Sequence, residues 1–114
     1  MKAQRLLDIA LGVALGRLKH KQKWRLGAAG IRSDGVLVVS FNGAPKEPEW
    51  KHHSESRICR KLTPDSIIAV VRVQANGEVA LAKPCENCQK CLAHVGVRKV
   101  YYSIGSNEFG IMIF

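Results

Sequence analysis

His53-Ser54-Glu55 and, further along, Pro84-Cys85-Glu86-Asn87-Cys88 constrain this chain more than any other feature, because a fold that uses them must bring two separated segments to one point. An imidazole and two thiolates meet the needs of a catalytic zinc, which keeps three protein ligands and leaves its fourth tetrahedral position to water. A metal held in this way lowers the pKa of the bound water toward neutrality. Glu55 stands two residues after His53, so on a helix the two side chains point in different directions. That separation fits separate jobs, and the reading adopted is that His53 binds metal and Glu55 does not. Cys85 and Cys88, at i and i+3, share one face of a helical turn and can reach a single ion. Pro84 suits the start of that turn, since a proline there loses no intrahelical hydrogen bond. The partial positive charge of a helix N-terminus also favours thiolate ligands.

The H-x-E and P-C-x-x-C pair resembles the signature of the zinc-dependent nucleobase deaminases. The likeness extends to an N-terminal helix, to Arg25-Leu26-Gly27-Ala28-Ala29-Gly30-Ile31, to the Phe41-Asn42-Gly43-Ala44-Pro45 turn, and to Val95-Gly96-Val97-Arg98-Lys99-Val100-Tyr101-Tyr102. Essentially the whole chain resembles the cytidine and deoxycytidylate deaminase superfamily, most closely its small phage and bacterial deoxycytidylate-deaminase-like members. The resemblance implies an α/β class with a three-layer α/β/α fold around a mixed sheet of about five strands. It also implies that His53, Cys85 and Cys88 ligate Zn2+, that Glu55 is catalytic, and that Asn42 binds substrate. On that reading Glu55 takes a proton from water and passes it to the ring nitrogen and then the leaving amine, so that attack at C4 of cytosine yields uracil and ammonia.

Other readings of the same residues compete. Two cysteines and a histidine can form a structural zinc site closed by a fourth protein ligand, and Cys91, three residues beyond Cys88, is the available donor. The bland reading makes Cys91 and Cys59 small buried hydrophobes. His52 precedes the H-x-E spacing and reads as a loop residue, and His20 and His94 lie among polar or basic neighbours. For Asn42 the competing role is a turn residue beside Gly43.

At 114 residues the chain reads as one domain, 1–114, large enough to bury a core. Four cysteines without regular spacing, two of them assigned to metal, argue against a disulfide scaffold and for a reducing cytoplasm. Lys2 and Arg5 before Leu6-Leu7-Asp8-Ile9-Ala10-Leu11 superficially resemble a secretory signal, but Asp8 interrupts the apolar run. Leu7, Leu11, Ala14, Leu15 and Leu18 recur at helical spacing and predict an amphipathic packing helix from about Ala3 to His20. The apolar stretch is too short to span a bilayer, so no membrane partner is expected.

Strands are predicted near Leu26 to Arg32 and Val36 to Phe41, joined at Ser33-Asp34-Gly35. A ligand helix follows near His53 to Leu62. Ser66 to Gln74 reads as a fully buried strand with Asn76-Gly77 as the next turn, and the cysteine helix spans about Glu86 to Val95 with Gly96 as its stop. Lys99 to Ile104 and Gly110 to Phe114 are the last strands. Only Gly105-Ser106-Asn107-Glu108-Phe109 lies between them, too short for a parallel crossover, so an antiparallel hairpin is expected. That hairpin resembles the free-nucleoside cytidine deaminase branch, whereas a histidine at position 53 resembles the other branches.

A net charge of +9 fits an anionic partner, either a nucleotide phosphate or a nucleic-acid backbone. The Lys19 to Arg25 cluster with Trp24 could serve either, or be a solvated face. Lys46, Lys51, Arg57, Arg60 and Lys61 flank the ligand helix and are better placed for a substrate phosphate. The favoured expectation is a small-molecule deaminase acting on a cytidine-type nucleotide such as deoxycytidylate. The alternatives are a polynucleotide deaminase acting on cytosine or adenine in single strands, and a non-catalytic module with structural zinc. The resemblance also implies a homo-oligomer.

Overall fold

The computed structural model describes residues 3–16, 24–41, 58–74 and 76–114. His53, Glu55 and Asn42 therefore lie outside the described residues, as do His20, Lys46, Lys51 and Arg57. The elements are α1 (Ala3–Leu15), β1 (Trp24–Ile31), β2 (Leu37–Phe41), a 3-10 turn (Cys59–Lys61), β3 (Ile67–Gln74), β4 (Val79–Ala80), α2 (Glu86–Val95), β5 (Lys99–Gly105) and β6 (Glu108–Ile113).

The strands form one mixed sheet in the order β2-β1-β3-β5-β6, with the short β4 paired to β3. β3 is the centre. It runs antiparallel to β1, from Trp24 opposite Gln74 to Ile31 opposite Ile67, and parallel to β5, from Ile67 beside Lys99 to Val70 beside Tyr102. Alternation along β3 sends Ile68 and Val70 to one face and Ala69, Val71 and Val73 to the other, and all five are buried. This is why its sequence is an almost unbroken apolar run.

Two cores result, one on each face. Leu6, Leu7, Ala10 and Ala14 of α1 pack on Ala29, Ala69, Val71 and Val73. On the opposite face Leu92 of α2 joins Ala28, Ile58, Ile68, Val70, Ala82, Val97 and Val100. The molecule is thus a three-layer α/β/α arrangement, as expected. The α1 seam is set by a close approach: a Cβ on Gly27 would stand 2.2 Å from the Ala10 carbonyl oxygen and 2.6 Å from the Ala14 nitrogen. Only glycine lets the helix lie so near β1. The apolar seam differs from the predicted one, since Leu6 and Ala10 are buried while Leu15, at the last helical position, is 38% exposed.

The Asp34-Gly35 turn joins β1 to β2 with Gly35 at φ +88°, and the Asp34 carboxylate accepts from the Val36 N–H at 3.1 Å. Asn76-Gly77 closes the turn from β3 to β4 in the same manner, with Asn76 Oδ1 accepting from the Glu78 N–H at 3.0 Å. β5 and β6 form the expected antiparallel hairpin, with a register shift between Ser103 and Gly105. Asn107 turns it at φ 63°. Tyr101 packs against the α1-side core and Tyr102 against the α2-side core, each half-buried. Among the described residues no helix is long and apolar enough to cross a membrane.

Candidate metal centre

The C-terminal end of α2 fixes the direction in which its N-terminus points. Gly96, in the left-handed region at φ +92°, closes the helix with its N–H directed to the Leu92 and Ala93 carbonyls, and the Val97 N–H also returns to Leu92. The Gly96 carbonyl then accepts from the Asp65 N–H at 2.8 Å, and the Arg98 N–H donates to the Ser66 carbonyl at 2.8 Å. These bonds hold the end of α2 beside the start of β3. Its beginning consequently lies toward the carboxyl ends of the parallel strands β3 and β5, where open α/β sheets commonly bind ligands.

Cys85 is the N-cap of α2, extended at φ −68° and ψ 167°, and Pro84 before it is buried. The Cys85 carbonyl takes the first helical hydrogen bond, from the Gln89 N–H at 2.8 Å, while the Gln89 amide donates to the Pro84 carbonyl at 2.8 Å. Cys88, in the same turn, is fully buried, and Cys85 is half-buried. The two thiols therefore sit on one turn at a helix N-terminus, whose partial positive charge favours anionic groups. Glu86 turns instead toward Lys90, at 3.6 Å on the exposed side of the helix.

The loop that delivers Cys85 is pinned by a residue without an obvious role in the sequence. Ser103 of β5 is buried; its hydroxyl donates to the Ala80 carbonyl at 2.7 Å and accepts from the Arg72 N–H at 3.2 Å. Its carbonyl accepts from the Ala82 N–H at 2.8 Å. A serine among the apolar residues of β5 was the available signal.

The other half of the H-x-E and P-C-x-x-C pair is reached only at its margins. His53 and Glu55 lie outside the described residues, but Ile58 is fully buried in the α2-side core and Cys59 packs against it. The chain following Glu55 thus enters the layer that contains α2. Phe41, which precedes Asn42, pairs with Gly27, and Gly27 pairs with Val71. β2 therefore ends at the same end of the sheet as β3. Among the described residues no three His, Cys, Asp or Glu side chains form a group able to hold a metal.

The burial of two cysteines differs from expectation. Cys91 is half-buried rather than a buried hydrophobe, and so is Cys59, which lies in a 3-10 turn. His94 is exposed in the last turn of α2. Lys61 has a structural partner, its Nζ donating to the Val39 carbonyl at 2.7 Å. A cleft of about 110 Å³ lined by Leu7, Leu11, Val71, Val79 and Phe109, with Asp8 and Glu108, opens on the α1 face, across the sheet from the cysteines.

A mixed sheet between two helical layers, with paired thiols at a helix start near the ends of its parallel strands, defines a cytidine-deaminase-like α/β protein. The chain belongs to the family described as the cytidine and deoxycytidylate deaminase zinc-binding region, whose model matches residues 1–104. Comparison with curated protein sequences gives no match. Among solved structures, cytidine deaminase from Burkholderia pseudomallei aligns over 99% of this chain and 93% of its own, with 15% identity and a TM-score of 0.72. The Mycobacterium leprae enzyme aligns over 99% and 93%, with 18% identity and a TM-score of 0.63. The Mycobacterium tuberculosis enzyme aligns over 90% and 85%, with 19% identity and a TM-score of 0.61. These likenesses show the fold. The family is a zinc-binding one, and the donor chemistry of the described residues agrees, since two thiols in one helical turn fit a soft divalent metal.

Proposed function

We propose that this protein is a zinc-dependent hydrolytic deaminase that converts cytosine to uracil in a cytidine-type nucleotide, most simply deoxycytidylate, with release of ammonia. The observation that carries the reading is the family match over residues 1–104, which spans both halves of the H-x-E and P-C-x-x-C pair. His53, Cys85 and Cys88 would hold the zinc, which when bound lowers the pKa of a water molecule and supplies hydroxide near neutral pH. The Glu55 carboxylate would take a proton from the attacking water and deliver it to N3 of the base as the C4–O bond forms. It would then move the proton of the new C4 hydroxyl to the amine, so that the C4–N bond breaks, ammonia leaves and C4 becomes a carbonyl. Water and cytosine are consumed, and uracil and ammonia are produced. Asn42 would hydrogen-bond the substrate near the sugar and base.

The test is a turnover panel of deoxycytidine, its mono- and triphosphates, and oligonucleotides containing cytosine or adenine, with Glu55→Ala as the blank. Ammonia release from a mononucleotide by wild type alone is the expected outcome. No turnover of any substrate by zinc-loaded protein would sink the proposal. A polynucleotide substrate is the second reading, favoured by the net charge of +9, and it predicts turnover of an oligonucleotide but not of the monomer. A non-catalytic zinc module would bind its partner equally well after Glu55→Gln.

A further inference from the structure

We infer that the cleft on the α1 face binds a small aliphatic diamine, its hydrocarbon chain on the apolar floor and one ammonium at each of the Asp8 and Glu108 carboxylates. The site lies across the sheet from the cysteines and does not depend on the proposed reaction.

The cleft exists because α1 covers only part of its face of the sheet. Leu6, Leu7, Ala10 and Ala14 seat the helix on β1 and β3, and the same face continues beyond it through β5 and β6, where Phe109 and Ile111 remain exposed. A corner is left between the helix and the hairpin. Its floor is aliphatic, built from Leu7 and Leu11, one helical turn apart, and from Val71 and Val79 of the strands. Phe109 forms the wall on the hairpin side and is braced by Tyr101, edge to face at 5.9 Å.

The charges around this floor select the ligand. Asp8 belongs to α1 and Glu108 to the start of β6, so the two carboxylates come from opposite walls. The Gln4 amide donates to Asp8 Oδ1 at 2.8 Å, which orients that carboxylate and leaves Oδ2 to another donor. Lysine and arginine outnumber aspartate and glutamate by 18 to 9 in the chain, yet none lines the cleft. Asp34 is matched by Arg32 at 2.7 Å and Glu86 by Lys90 at 3.6 Å, whereas among the described residues Asp8 and Glu108 have no such partner. Ionised carboxylates only accept hydrogen bonds. An apolar cleft between two of them is therefore complementary to a ligand that brings its own cations, and it repels anions.

Size narrows the class further. The cleft holds about 110 Å³, and an apolar cavity of about 150 Å³ takes up one benzene molecule. A chain of roughly four carbons matches that space. Carboxylates on both walls favour a chain charged at both ends, whose methylenes lie on apolar surface while its ammonium groups stay near water.

Titration of the intact protein with 1,4-diaminobutane, followed by amide NMR, tests this. Saturable shifts should be confined to the first half of α1, the β3–β4 hairpin and residues 103–109. Asp8→Asn and Glu108→Gln keep side-chain shape and remove charge, and each should weaken binding about fivefold. Glu86→Gln, on the α2 layer, should leave it unchanged. n-Butylamine should bind more weakly than the diamine, and 1-butanol should not bind. Shifts that never saturate, that spread to the acids of the other layer, or that survive both charge variants at full affinity overturn the proposal. Equal binding of 1-butanol does so too. Val79→Phe fills the floor with every charge kept, and retained affinity in that variant would place the amine outside the cleft and overturn the site. The charge variants decide the matter where Val79→Phe fails to fold.

Discussion

Cys88 and Cys91 occupy the same helix three residues apart, yet their surroundings separate their roles. Cys88 is fully buried in the first turn of α2, beside the N-cap Cys85, whereas Cys91 is half-buried one turn on. If Cys85 and Cys88 are metal ligands, Cys88→Ala should abolish stoichiometric zinc and Cys91→Ala should retain it, as read by elemental analysis of purified protein. Loss of zinc from both would favour the closed, structural site instead. Ser103 makes a second residue-scale case. Ser103→Ala would remove the acceptor of the Arg72 N–H and the donor to the Ala80 carbonyl. Losing the donor to the Ala80 carbonyl should cost about 1–3 kcal/mol in denaturant unfolding. A change below a few tenths of a kcal/mol would mean that water replaces the hydroxyl.

At the scale of elements, α2 depends on its terminator. Gly96 adopts φ +92°, and a Cβ there would also stand 3.3 Å from Pro64. Gly96→Ala should therefore destabilise by roughly 1–2 kcal/mol, seen as a fall in the thermal midpoint of about 4 °C or more. An unchanged midpoint would show that the end of α2 relaxes without cost. Gly96 and Pro84 also explain why α2 was legible before its structure was known: they punctuate the chain at both ends. The β5–β6 hairpin was legible for a geometric reason, since so few residues cannot carry a parallel return. β4 was not, because two residues of strand have no periodicity to read. Nor was the shift of the α1 seam to Leu6 and Ala10, which follows from the contact of Gly27 with the helix backbone. The candidate site divides along the same line. Its residue types are imposed by metal chemistry and stand out in sequence, whereas the Ser103 bonds and the Lys61 bond to the Val39 carbonyl join residues distant along the chain.

Across the whole molecule, the two helical layers are held to the sheet by different means. α1 is seated by four buried side chains and the Gly27 approach, all of them supplied by its own packing on the sheet. α2 is secured at its end by the Gly96 and Arg98 hydrogen bonds and in its middle by Leu92. Its beginning rests on the loop pinned by Ser103 and, in the proposed function, on a metal shared with His53. Such a metal would be a cross-link within one layer, present only in the folded state, so its binding free energy would add to stability. A site loaded to about 1,000 times its dissociation constant contributes about 4 kcal/mol. Stripping zinc with a chelator should then lower the thermal midpoint of wild type by several degrees and leave zinc-free Cys88→Ala unmoved. Amide exchange should localise the effect, accelerating at the start of α2 and in the segment around Ile58 while α1 and β1 keep their protection. A chelator that loosened α1 equally, or left α2 unchanged, would place the metal outside the α2 layer and count against His53, Cys85 and Cys88 as its ligands.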